Sequence, residues 1–473
     1  MTVLPLALAQ FVASYAATTM TVAVSAIAAD LGTTVLGVQT AITLFTLTMA
    51  SLMVPGSKLT DVLGRKRCFV AGLVVYGAGA LLASAAPGPG LLILGYSLLE
   101  GIGSALMIPP IYILVTVTSS DVGTRARRFG VVSGAGALGA AAGPLVGGLV
   151  TTWFGWRASF LLQVLLVGWI VLLARRVTEP PRPPGRPRFD VAGAVLSAAG
   201  LFFVVFGVLQ SGTYGWFVSR ADFVVGGVVL LPAGGLSPLW LFAGIGAGIL
   251  ALFFAQVRAR ERAGGVPLVP SALFRDRVTG LGLLTQHVQW LVLQGSFFVI
   301  AVFLQQVRGY DAIETGLMLL PATIGILGSS AAAGRMARRH SQRRLIRGGF
   351  VLAIAGLALV LALVRVDSGV ASAVPGLFLL GAGVGIMLTA SVNLVQSRCP
   401  DSAQGDISGV SRCVSNLGSS VGTALAGSVL AGAPRPGGTS FALALATLGI
   451  AAVAGLVAAV LLPRPGAGAP APG

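Results

Sequence analysis

From Leu4 to Ala29 the chain carries no charged residue. About 20 apolar residues suffice to cross roughly 30 Å of hydrocarbon, and such runs recur along the whole sequence. Bounded by charge, proline or glycine, they fall near 4–29, 35–55, 68–86, 91–116, 129–152, 157–174, 191–210, 237–256, 278–304, 315–334, 345–365, 373–397, 407–430 and 440–462. The expected fold class is therefore an all-α membrane protein with 14 transmembrane helices. Composition agrees: 55% of residues are hydrophobic and 10% charged, against about a quarter charged in soluble domains. Between spans seven and eight, Asp222 to Leu231 is apolar but short, and Pro232-Ala-Gly-Gly breaks it. That stretch reads as a re-entrant or interfacial piece.

The net charge of +17 resembles that of a nucleic-acid binder, but the basic residues lie in short loops between apolar runs. An N-terminus in the cytosol places Arg157, Arg220, Arg308, Arg365 and Arg435 outside and every other Lys or Arg inside. So lopsided a split follows the positive-inside rule, supports an even number of spans, and leaves no nucleic-acid partner to invoke. Only Lys58 and Lys66 are lysines. With heavy Ala, Gly and Val usage, this suggests a GC-rich bacterial genome. The expected location is the bacterial inner membrane, multi-pass, with both termini cytoplasmic. The N-terminal run lacks a basic leader and is too long for a cleaved signal, so it reads as a retained first span. Cys68, Cys399 and Cys413 are too few and scattered for a disulfide framework.

Arg175 to Asp190, with five prolines and five arginines, resists helix and favours an extended linker. It divides the chain into 1–174 (a six-helix bundle), 175–190 (a cytosolic linker), 191–277 (two inserted helices and a loop), 278–462 (a second six-helix bundle) and 463–473 (a disordered tail). Basic loops in corresponding positions, Ser57 to Arg67 and Gly334 to Arg344, mark the two bundles as repeats.

Three motifs narrow the class. The first is the loop Leu59-x-Asp61-x-x-Gly64-Arg65-Lys66, in which Gly64 permits a tight turn. The second is Gly139-x-x-x-Gly143-Pro144-x-x-Gly147-Gly148 in span five. Small residues at this spacing allow close helix approach, and Pro144 bends the helix. The third comprises Trp156-Arg157-x-x-Phe160 opening span six and Asp190-x-x-Gly193 opening span seven, with Gly309-Tyr310, Gly316 and Pro321 at span ten. Over nearly its whole length the chain resembles the major facilitator superfamily, and within it the 14-span drug:proton antiporters. The resemblance implies two bundles around a central cavity, a monomer, and alternating access. It assigns Asp61, with Gly64, Arg65 and Lys66, to locking the bundles, and puts Gly139, Gly143, Pro144, Gly147 and Gly148 at the bundle interface. The branch's span-one Asp falls on Ala16 and its span-four Arg on Ser97, so the usual charged pair is absent.

Glu100 is the one carboxylate deep within a span. An ionised side chain there costs about 2.5–3.5 kcal/mol on insertion scales, and a carboxyl that gains and loses a proton as access alternates is what antiport needs. The alternative is a permanently protonated Glu in one interhelical hydrogen bond. Arg412, near the inner end of span thirteen, either snorkels or pairs with Asp406, or serves gating. His287 with Gln289 and Trp290 sits at mid-depth in span nine, to titrate, contact substrate or bond another helix. Tyr15, Gln39, Ser97, Asn393 and Asn416 complete the pocket candidates, against routine interhelical bonding. No Walker loop, metal-ligand cluster or catalytic constellation is present. The expectation is a non-enzymatic transporter without cofactor, driven by the proton gradient, with the lipid bilayer, protons and a small amphipathic substrate as partners. The alternatives are a uniporter or carrier of a lipid, metabolite or anion, and, from another class, a transport-inactive scaffold or sensor.

Overall fold

The computed structural model describes residues 3–117, 122–177, 189–225, 227–337, 339–364, 368–399, 404–431 and 438–463. The proline-rich linker and the C-terminal tail lie largely outside these residues.

The first half contains α1 (Val3–Val22), α2 (Val24–Asp30), α3 (Val35–Leu63), α4 (Arg65–Ser84), α5 (Pro89–Leu92), a π-helical stretch (Ile93–Glu100), α6 (Gly101–Val117), α7 (Val122–Phe154) and α8 (Trp156–Ala174). Two of its turns are single residues. Gly64 (φ 105°) joins α3 to α4 and Gly155 (φ 83°) joins α7 to α8, a backbone region open to glycine and strained for other residues. Pro144 removes the donor that would reach the Ala140 carbonyl, and α7 bends by 41° between Ala140 and Ala142.

Next come α9 (Val191–Tyr214) and α10 (Pro238–Arg262). The intervening segment, read from sequence as re-entrant or interfacial, is a hairpin in which β1 (Phe223–Val225) pairs antiparallel with β2 (Val228–Leu231). Asp190 caps α9 by accepting from Gly193 N, and also accepts from Gln256 and from Leu268 N, so it ties α9, α10 and the following loop together.

The second half contains α11 (Arg277–Gln306), α12 (Ala312–Met336), α13 (Gln342–Leu363), α14 (Val374–Gln396), α15 (Gln404–Ala431) and α16 (Gly438–Leu461). Side-chain caps start three of them: Asp276 on α11, a reciprocal Asp311–Glu314 box on α12, Ser341 on α13.

Among the described residues, 12 helices are long and apolar enough to cross a membrane, or 13 with the bent α7. The sequence count of 14 differs by α15, a 28-residue helix whose serines and glycines lower its hydropathy. Its packing explains that composition, because α15 lies against α3, α9 and α11 rather than lipid. Helices α1, α3, α4, α6, α7 and α8 pack together, as do α11 to α16. The two groups meet along two seams, α3 on α15 and α7 on α12, and α9 spans the first seam by touching both α3 and α15.

Candidate functional site: a buried carboxyl and the seams between two helix bundles

Glu100 closes the π-helical stretch and is fully buried. A π-turn widens the helix and is frequent at functional sites. Around the carboxyl stand Tyr76 of α4 and Tyr96 of its own stretch, also fully buried. Tyr96 stacks on Phe45 of α3 at 4.6 Å between ring centroids and meets Phe160 of α8 edge-on. Gln163 of α8 donates through Nε2 to the Ser159 carbonyl at 3.3 Å, leaving its Oε1 as an acceptor. The Tyr76 hydroxyl donates to that oxygen. Its single proton is thereby used, and toward Glu100 it presents oxygen lone pairs. Neither carboxyl oxygen of Glu100 receives a hydrogen bond from the described residues. An ionised, unpaired carboxylate in such surroundings is expensive, whereas a protonated, neutral carboxyl costs far less to bury. The cluster lies inside the first bundle, sealed from both faces in this state.

The other sequence candidates do not converge on one cavity. Tyr15 is buried beside Thr19 and Ser159 in the first bundle. Ser97 donates to the Ala41 carbonyl of α3 at 2.8 Å, and Ala16 is buried by packing alone. In the second bundle Gln289 accepts from Ser391 at 3.2 Å, Gln286 accepts from Ser411 at 2.6 Å, and His287 Nδ1 lies 3.4 Å from the Val414 carbonyl. Trp290 and Asn416 are half-buried and Asn393 is exposed. Gln39 crosses the first seam, donating to the Thr423 carbonyl at 2.9 Å; a pocket candidate in the sequence, it serves here as a clasp between bundles.

The glycine motif divides its work. A Cβ on Gly139, Gly143 or Gly147 would run into α1 at Phe11, Thr18 or Thr19. Gly148 faces the other bundle, where a Cβ would strike the Ala312 carbonyl, and across the seam a Cβ on Gly316 would strike that of Pro144. Thr152 accepts from Ile313 N beside them at 3.2 Å. Farther in on the same side, Gln305 accepts from Ser25 N at 3.0 Å and donates to the Val22 carbonyl at 2.7 Å. At the Arg157 end the bundles thus meet by backbone approach at Gly148 and Gly316, with the Gln305 and Gln39 side chains bonded across beside it.

At the opposite end the links are long side chains. Lys58 pairs with Asp406 at 2.6 Å. Arg412 donates to the Tyr112 hydroxyl and lies 5.1 Å from that ring's centroid, and Tyr112 donates to Gln10 at 3.2 Å. The sequence offered Asp406 to Arg412. Lys58 takes it instead, because it enters from α3, directly across the seam, leaving Arg412 to reach α6. Of the first motif, Lys66 donates to the Arg175 carbonyl at 3.2 Å and half-buried Arg65 follows the Gly64 turn. The Asp61 side chain lies outside the described residues. Tyr76, Tyr96, Tyr112 and Gln163 were not among the sequence candidates. Their signal was available, since the chain has only six tyrosines and three lie within apolar runs around Glu100 and Arg412.

The fold is similar to that of a nucleoside transporter, NupG (solved as a point mutant), which superimposes over 98% of this chain and 100% of its own with a TM-score of 0.65 at 12% identity, a likeness of fold alone. The family model for the Major Facilitator Superfamily matches residues 6–423. The chain belongs to this superfamily. It is a membrane transporter, not an enzyme, and its bilayer contact and small-molecule substrate follow from that membership. Among this facilitator's relatives are the puromycin resistance protein pur8 of Streptomyces alboniger (30% identical over 88% of this chain and 78% of that protein) and a probable actinorhodin transporter of Streptomyces coelicolor (30%, over 88% and 69%). The multidrug efflux pump LfrA of Mycolicibacterium smegmatis is 28% identical over 81% and 71%.

Proposed function

We propose that this facilitator exports small amphipathic compounds, of the antibiotic or drug class its relatives are named for, in exchange for protons. The relatives' names supply the direction and substrate class. The coupling rests on one observation: a fully buried Glu100 carboxyl, neither of whose oxygens has a hydrogen-bond partner among the described residues, set among Tyr76 and Tyr96. In this state the carboxyl holds its proton; in a state that opens the cluster it surrenders it. The Lys58 end faces the cytosol, with both termini, in a bacterial inner membrane, and a monomer suffices because both bundles come from one chain. The test is efflux from proteoliposomes and from an efflux-deficient bacterium, with and without a protonophore. Glu100→Gln keeps the shape but cannot release a proton. It is expected to abolish efflux driven by a pH gradient while leaving substrate counterflow intact. Normal gradient-driven pumping by the Gln variant assigns Glu100 to structure.

A second reading is favoured by the neutral Ala16 and Ser97 at the branch's charged positions: an uncoupled carrier. Wild-type flux indifferent to the protonophore would select it.

A further inference from the structure

Near the Arg157 end, five helices of the second bundle diverge around a small cavity of about 70 Å³. Val299 and Phe303 of α11, Val360 of α13, Leu377 of α14 and Phe441 and Leu445 of α16 line it, and every other lining residue is also apolar. It is narrower than a drug pocket and lacks the polar groups that fix a drug's orientation, so what it admits is a slender hydrocarbon segment. A void lined only by hydrocarbon holds water poorly and costs packing energy if left empty. Its depth is informative. Val299 lies seven residues before the end of α11 at Gln306, or roughly 10 Å at 1.5 Å per residue, within one leaflet of a core about 30 Å thick. Its side is informative too, because the lining residue Ala442 is exposed on the outer surface of α16 beside Leu443, itself 61% exposed. At the top, Arg308 lies 5.6 Å from the centroid of Phe303 and donates to the Ser368 carbonyl and hydroxyl at 2.9 and 2.6 Å. The Ser372 hydroxyl is 3.0 Å from that of Ser368. A guanidinium and two hydroxyls over an apolar shaft match a phosphodiester with its hydrocarbon tail.

We infer that this cavity takes an acyl chain of a phospholipid from the leaflet at the Arg157 end, with the headgroup phosphate held at Arg308, Ser368 and Ser372. The assignment needs neither Glu100 nor the direction of transport. Reconstitution into phosphatidylglycerol vesicles carrying a diazirine near the acyl terminus, followed by irradiation and peptide mapping, tests it. Labelling is expected on the outer thirds of α11, α13 and α16. Ala442→Trp, which fills the mouth, should remove that labelling while label on the lipid-facing α10 stays unchanged. Arg308→Gln should weaken competition by unlabelled phosphatidylglycerol. Should Ala442→Trp misfold, wild-type label at these sites must still fall as unlabelled lipid is added. Label spread evenly over the helices, or indifferent to both substitution and competitor, overturns the site.

Discussion

The two ends of the bundle interface are closed by different means. At the Arg157 end, Gly148 and Gly316 let α7 and α12 approach until backbone meets backbone. At the Lys58 end an ion pair and an arginine–tyrosine contact reach across. A glycine contact is an all-or-none matter of shape, since no rotamer relieves a Cβ driven into a carbonyl. Side-chain bridges can be released one at a time, each at modest cost. The first kind of closure defines a state, and the second trims its stability. A transporter that rocks one bundle on the other needs both: a surface on which the sealed state fits, and links weak enough to part in each cycle.

The largest effect is expected from breaking the shape-based closure. Gly148→Leu overpacks the α7–α12 seam, which costs about 1–3 kcal/mol or more and shifts the balance away from the sealed state by roughly tenfold to a hundredfold. Spin labels on Thr152 and Ile313 would report longer distances between the Arg157-end helix tips. An unchanged distance distribution would show that this end opens elsewhere.

Next comes Arg412→Ala, at the other end. It removes a charged hydrogen bond, worth about 1.5–3 kcal/mol, and the cation–π contact is part of that same Arg412–Tyr112 interaction rather than an addition to it. Both link α15 to α6. The variant should make cysteines near Tyr112 more accessible to reagents entering from the Lys58 end, with no change at Thr152. Lys58→Ala should act in the same direction but more weakly, since partly exposed ion pairs are worth about 0.2–1 kcal/mol. The test is whether the double variant exceeds Arg412→Ala; equality would make the ion pair idle.

This difference between ends was only half legible in the sequence. The spans follow from hydropathy and the glycine motif from its spacing, because lipid forces helices and helices force small residues where they touch. The motif's place at the bundle interface came from the resemblance, and only Gly148 lies there, with Gly139, Gly143 and Gly147 packed on α1. Glu100 was legible as a carboxyl out of place, but its surroundings were not. Tyr76 and Gln163 lie 24 and 63 positions away in the chain and meet Glu100 only once α4 and α8 pack on the π-helical stretch. Partner choice was hidden for the same reason. Asp406 is six residues from Arg412, yet it pairs with Lys58 across a seam that no local pattern reveals. The count of 14 spans overreached the hydropathy of α15, a helix whose polar residues make sense once α3, α9 and α11 surround it. The hairpin at 223–231 was hidden because a short apolar run reads the same in strand and helix.

The smallest effect is expected from a pair at the Arg157 end that belongs to one bundle. Asp30 accepts from Arg157 and, at 3.1 Å, from Trp156, and Arg157 also donates to the Ala86 carbonyl at 2.8 Å. The Arg157 hydrogen bond, then that from Trp156, holds the Asp30 carboxyl below the ordinary aspartate range. A carboxylate so lowered stabilises the folded state fully above its unfolded value near 4 and loses that contribution as pH falls through the lower folded value. Asp30→Asn should therefore narrow the loss of thermal stability below about pH 4, with little change at neutral pH, where an exposed pair is screened. Because the Asp30–Arg157–Ala86 contacts do not touch α12, the Thr152–Ile313 distance should not respond. If it lengthens as in Gly148→Leu, the pair belongs to the gate, and the α7–α12 seam is not set by its own contacts.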